Sequence, residues 1–241
     1  MRGVVPSLFQ APPPEVDSFT LFIFDCGQRG MVAPESAIDP FRVMLVMWIV
    51  MMTAMMLPSA APMILLFATI NRRRSETGTP YATGLFALAY WALWAAFSIA
   101  ATCAQWGLEH AGLLFATMAT ASTSLAGAVF LLAGVYQLTP LKQACLRRCR
   151  SPLEFLSHTW QGGALGAFRM GLRHGLFCLG CCWAMMALLF IGGLMNVLWI
   201  AALALFVLAE KVVPSGGLLG RAGGVALILW GGVTLLMTVI A

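Results

Sequence analysis

The chain has 241 residues, 61% of them apolar and 10% charged, with a net charge of +5. So little charge cannot cover a soluble core of this size, so the composition predicts an all-α, polytopic transmembrane helical bundle with no separate catalytic domain. The lipid bilayer is its expected surrounding, and the basic balance follows membrane orientation; nothing in it points to nucleic acid.

Residues 1–40 place four prolines among their first 14 positions. Their apolar run at 19–24 is too short for a leader core or a span. They are expected to form an irregular extracytoplasmic cap, with room for a short helix over 16–26. A transmembrane domain over 41–241 follows. Its apolar runs at 41–69, 81–106, 113–138, 169–191, 194–211 and 218–241 predict about six spans. The fourth and fifth are divided at Gly192-Gly193, because a helix running unbroken from Arg169 to Lys211 would be ~64 Å long and overrun any bilayer. Segments 70–80, 139–173 and 209–222 hold 11 of the 14 basic residues and only three acidic ones. On the positive-inside rule they lie in the cytoplasm, which puts both termini outside. Gly171/Gly175 and Gly220/Gly224 have the small-xxx-small spacing of close helix packing.

The first span carries VMWIVMMTAMMLPSAAPM, in which six of 18 residues are methionine. At 100° per residue Met44, Met47, Met51 and Met55 fall within about 80° of one another, a ladder leading inward from the outer surface. Met52 and Met56 form a second pair beside it. Thioether sulfur is a soft, neutral donor that selects Cu(I) without first losing a proton. The spacing of Met51/Met55 and Met52/Met56 resembles the M-x-x-x-M element of membrane copper transporters. The plain alternative is flexible gap-filling in an apolar core, which does not by itself require periodic pairs. Pro58 and Pro62 are expected to break the helix just inside those pairs.

Beyond the third span lies YQLTPLKQACLRRCRSPLEFL, residues 136–156. Here Cys145 and Cys149 share a face of a short amphipathic segment, and Lys142, Arg147, Arg148 and Arg150 can reach anionic lipid. The pair fits ion hand-off, redox pairing or simple surface attachment. The fourth span holds HGLFCLGCCWAMM, residues 174–186. Cys178, Cys181 and Cys182 at i, i+3 and i+4 lie on one face, continued by Met185 and Met186. Reduced thiols there suit Cu(I) first and Zn(II) second. His174, one turn earlier, is a further candidate donor. Glu210, at the inner end of the fifth span, is expected to pair with Lys211 or to snorkel, and is a further functional candidate. With the first and fourth spans antiparallel, Met55 and Met185 lie ~21 and ~24 Å from their inner ends. The two sulfur clusters are then level enough to share one ion.

MMTAMMLPSAAPM, YQLTPLKQACLRRCRSP and GCCWAMM, in that order over residues 41 to about 213, resemble an uncharacterised bacterial family of predicted metal-binding integral membrane proteins. The resemblance implies a place in the bacterial inner membrane and metal binding through the Met and Cys positions named. It implies no established reaction. The leading expectation is Cu(I) binding, handling or transport between the first and fourth spans. An accessory or assembly subunit that holds metal for a metallochaperone or membrane-complex partner is the alternative. An oxidoreductase is the weakest reading, because three histidines at loops and ends supply no His-rich redox centre.

Overall fold

The computed structural model describes residues 39–73, 81–112, 123–194 and 196–240. The chain divides into a unit Met1–Val43 and a unit Met44–Ala241, and the second carries the architecture that follows. The expected cap before residue 39, its helix near 16–26, Arg74, and the start of the third predicted span at 113–122 lie outside the described residues.

Among the described residues the fold is all-helical: α1 (Pro40–Arg73), α2 (Ala82–His110), α3 (Thr123–Leu138), α4 (Pro140–Arg150), α5 (Pro152–Thr159), α6 (Gly163–Ala187), α7 (Leu189–Gly192), α8 (Val197–Val212) and α9 (Gly216–Ile240). Four segments are long and apolar enough to cross a membrane: Pro40–Arg73, Ala82–His110, Gly163–Gly192 and Gly216–Thr238. A fifth arises if α3 and α4, bent by 63° at their junction, count as one broken span. These are fewer than the six expected spans among the described residues, and the third expected span begins in 113–122, outside them. The described part of α3 and the whole of α8 have 16 residues each, about 24 Å of helix against a ~30 Å hydrocarbon core.

Local chemistry explains the boundaries. Thr139 caps α4 by accepting from the Lys142 N–H at 3.3 Å, with Pro140 in the first turn, where a missing N–H costs nothing. The predicted break at Gly192-Gly193 is present: α7 ends at Gly192 and Gly193 adopts φ +83°, a backbone that favours glycine. Asn196 then caps α8 through the Trp199 N–H at 3.1 Å, and Trp199 Nε1 donates back to the Leu188 carbonyl at 3.0 Å.

The expected break at Pro58 and Pro62 is absent, and α1 runs through both. Each proline removes one N–H and leaves the flanking ladder intact. Side-chain donors also serve this stretch: Thr53 Oγ1 donates to the Ile49 carbonyl at 2.7 Å, and Ser59 Oγ and Tyr90 OH both donate to the Met56 carbonyl at 2.8 and 3.1 Å.

Glycines set which helices touch closely. On α3 and α9 a Cβ at Gly134 would meet the Gly224 carbonyl at 2.7 Å, and one at Gly231 the Gly127 carbonyl at 2.9 Å, so this pair packs backbone to backbone. Gly171 of α6 lies against the Phe86 backbone of α2. Helix α1 instead meets α2 and the α6–α7 segment through large side chains. Trp48 meets Phe190 with ring centroids 5.3 Å apart, Phe67 stacks on Phe86 at 4.7 Å, and Phe67 also stacks on Trp160, just before α6, at 5.5 Å. These pairings run in opposite chain directions, so α1 is antiparallel to α6. The seam between them is filled by side chains where glycines would have let the backbones close up, and in that seam lie the sulfurs.

Candidate metal centre

The methionine face of α1 points into the bundle. Met44, Met51, Met52, Met55 and Met56 are buried, Met56 completely, and Met47 is partly buried against them. The helical period that aligns them also turns Val46, Val50 and Leu57 outward. On α6, Cys178, Cys181, Cys182, Met185 and Met186 are all buried. Both sets belong to one continuous core.

Two groups tie them together. Tyr90 OH, from α2, lies 3.1 Å from the Met56 carbonyl and 3.2 Å from Cys178 Sγ. Lys211, from the last turn of α8, donates to Ser59 Oγ at 2.9 Å and to Cys178 Sγ at 3.0 Å. Trp48 facing Phe190 and Ser59 facing Cys178 set the register. On it Met185 and Met186 stand level with Met52 and Met51, and Cys181 and Cys182 with Met56 and Met55. The thioethers thus occupy one level, and the thiols begin there and extend about a turn further along.

The thiols themselves are in contact. Cys181 Sγ is 3.2 Å from Cys182 Sγ and 3.9 Å from Cys149 Sγ, and donates to the Cys178 carbonyl at 3.1 Å. Cys178 Sγ is approached instead by Tyr90 OH at 3.2 Å and Lys211 Nζ at 3.0 Å. Every described cysteine is free. Cys149 therefore joins the cluster from α4. Cys145, one turn earlier, rests its sulfur against Gly180, where a Cβ would come within 2.9 Å of it. Burial pushes the Cys145 thiol above the ordinary cysteine range. Among the described residues, no three His, Cys, Asp or Glu side chains form a preformed chelate. Three of the thiols instead contact one another through Cys181, and Cys178 lies on the same face of α6.

The remaining candidates lie elsewhere. His174 is buried among the rings of Phe86, Tyr90 and Phe155, with centroids 6.1, 5.8 and 5.7 Å away, and its Nδ1 has no partner. It is buried, and its neighbours are aromatic. Glu210 does not pair with Lys211. It forms a buried ion pair with Lys142, and Gln137 donates to it at 3.3 Å while also accepting from Lys142. Lys142 is therefore withdrawn from lipid. Arg150 is committed as well, to the Val213 and Pro214 carbonyls at 2.5 and 2.7 Å. On this amphipathic segment Lys142 and Leu146 are buried and Cys145 and Cys149 half-buried, while Leu141, Arg147 and Arg148 are exposed.

Sequence reasoning missed Tyr90, Ser59 and Lys211. It also missed a polar face on α2: Trp94, Ser98, Thr102 and Gln105 are buried on the side facing α1, and Gln105 links Trp48 Nε1 at 2.7 Å to Glu109 at 2.8 Å. Positions 90, 94, 98, 102, 105 and 109 recur every three or four residues, so that face was visible in the sequence. Lys211 gave no local signal, since its partners lie 152 and 33 residues away.

Helices long and apolar enough for a bilayer, closed around a core of thioethers and thiols, define a membrane-type bundle with soft, sulfur-rich chemistry at its centre. The family model PpoB2, described as copper chaperone, matches residues 45–234, and the chain belongs to this family. Searches of curated proteins and of solved structures found no match. Of the earlier resemblance, the match supports the relation to metal at the level of a copper-related family.

Proposed function

We propose that the chain is a membrane-embedded Cu(I) chaperone that accepts the ion on the methionine face of α1 and holds it against the thiols of α6. The observation that carries this reading is the single buried seam in which Met51, Met52, Met55 and Met56 meet Cys178, Cys181, Cys182, Met185 and Met186. The donor set is soft throughout. The one carboxylate in the core is spent on Lys142, and the one buried imidazole sits among rings, so the hard and borderline donors that favour other divalent ions are absent from the seam. Outward-facing Leu65, Leu132, Leu198, Leu205, Leu218 and Leu229 supply the apolar exterior that lipid requires. The loop charges orient both termini outward in a bacterial inner membrane.

Thiolates bind Cu(I) more strongly than thioethers, so the ion moves from the methionine level to the cysteine level and is surrendered to a partner that exchanges ligands with the cluster. Cys149 and Cys145 stand on the side of α4 against α6 and are the exchange surface in this reading. Delivery, as opposed to flux across the bilayer, is what the family's description favours.

The test is elemental analysis and X-ray absorption on protein purified anaerobically in detergent. About one copper per chain with sulfur-only coordination is expected, reduced to background in a Met55→Leu/Cys181→Ala/Cys182→Ala variant that keeps its helical content. Copper retained by that variant, or nitrogen and oxygen coordination in the wild type, overturns the assignment. Proteoliposomes separate delivery from transport: bound copper without flux supports the chaperone role.

A further inference from the structure

Among the described residues Lys211 is the one cation with a side-chain contact to the sulfur cluster. Its stem leaves α8 at the surface and its ammonium turns inward to Ser59 Oγ and Cys178 Sγ. No carboxylate is among those partners. Its neighbour Glu210 points the other way and is neutralised by Lys142, so in the charge count of this end of the core the Lys211 ammonium stands uncompensated. A buried charge without a counter-charge is costly, and the nearest group able to supply one is a sulfur that has lost its proton.

We infer that Lys211 is a specificity-determining counter-ion that matches the cluster to a monovalent soft cation bound by two thiolates. The inference rests on the Cu(I) reading above and deepens it by assigning how the site tells Cu(I) from Zn(II). When Cu(I) binds two thiols, both protons leave to solvent, no electron moves, and the resulting bis-thiolate unit carries a charge of −1. With the ammonium of Lys211 beside it the buried assembly is neutral. Zn(II) on the same two thiolates is already neutral and leaves the ammonium unbalanced, and Zn(II) on all four thiols carries −2, of which Lys211 offsets half. On two sulfurs only the monovalent ion closes the charge balance, and Zn(II) does so only by recruiting a third thiolate. A sulfur ligand keeps lone pairs after binding one metal, so Cys178 can hold the ion and still accept from Lys211. Such outer contacts typically change metal affinity about 10- to 100-fold.

The experiment measures Cu(I) and Zn(II) affinities by competition with chelators of each ion on the full-length protein in detergent, with Ag(I) as a second monovalent probe. Wild type, Lys211→Met, Lys211→Arg and Ser59→Ala are compared. Lys211→Met is expected to lower Cu(I) and Ag(I) affinity about 10- to 100-fold while Zn(II) affinity stays level or rises, and Lys211→Arg is expected to keep the wild-type ratio. A Lys211→Met protein with an unchanged Cu(I)/Zn(II) ratio overturns the inference. So does one that binds Cu(I) more tightly, because the ammonium is then a competitor for Cys178. If Lys211→Met does not fold, Ser59→Ala decides, since it preserves every charge and removes one of the ammonium's two anchors: a lowered ratio supports the inference and an unchanged one overturns it. Failure of the wild type to bind Cu(I) at all refutes the function itself and is read separately.

Discussion

Replacing Lys142 by Met tests whether the closed end of the bundle is held by charge. The Lys142 ammonium is fully buried, its Glu210 partner is 2% exposed, and Gln137 is the only other partner of that carboxylate. Removing the ammonium leaves Glu210 facing one amide nitrogen at 3.3 Å, packed so closely on Gly220 that a Cβ added there would lie 2.3 Å from Glu210 Oε1. Breaking a buried pair on one side costs about 3–5 kcal/mol, whereas replacing both members by apolar groups of similar volume is often close to neutral. Lys142→Met should therefore lose about 3–5 kcal/mol, and Lys142→Met/Glu210→Leu should recover most of it. Reversible denaturant unfolding in detergent, followed by helicity, gives both values and their coupling. A loss below about 1 kcal/mol for Lys142→Met, the scale of an exposed pair, would show that the pair is solvated and would remove the argument for a sealed end.

Other substitutions probe the seam. Gly180→Ala places a Cβ 2.9 Å from Cys145 Sγ and should cost about 1–3 kcal/mol by overpacking, with Gly180→Ala/Cys145→Ala regaining most of it in the same unfolding assay. Trp48→Phe leaves the Gln105 amide oxygen buried without its 2.7 Å donor and should cost about 1–3 kcal/mol; a thermal melt unchanged from wild type would refute the link. Because burial raises the Cys145 thiol, its contribution is complete below the ordinary thiol range. It is lost as pH rises through the raised value, where the unfolded chain has already ionised. Stability between about pH 8 and 10 should thus fall less steeply in Cys145→Ala than in wild type. Maleimide should label exposed Cys103 first, and Cys178, Cys181 and Cys182 only after unfolding.

Much of the site was legible because helical periodicity is local. Met51/Met55, Met52/Met56 and Cys178/Cys181/Cys182 each announce a shared face through spacing alone, and all of them are buried. The division at Gly192-Gly193 followed from length and glycine chemistry. The error at Glu210 has a long-range cause: the group that decides it, Lys142, reaches it across 68 residues. An apolar run gives composition and not helix length, and α8 stops after 16 residues with Val213 as its cap.

The buried ion pair and the sulfur cluster are linked through a single peptide bond. Successive residues on a helix project about 100° apart, so fixing Glu210 against Lys142 and Gln137 fixes the rotation of the last turn of α8 and with it the direction of Lys211. Turned that way, Lys211 meets Ser59 of α1 and Cys178 of α6 together. The pair therefore does more than close the end of the bundle: it aims the counter-ion. On this argument Lys142→Met/Glu210→Leu, although stable, should lose part of the Cu(I) preference that Lys211 confers, since apolar packing restores volume but not the rotation set by the carboxylate. Measured affinities for the double variant that match wild type for both Cu(I) and Zn(II) would sever the two sites and leave the ion pair a purely structural feature.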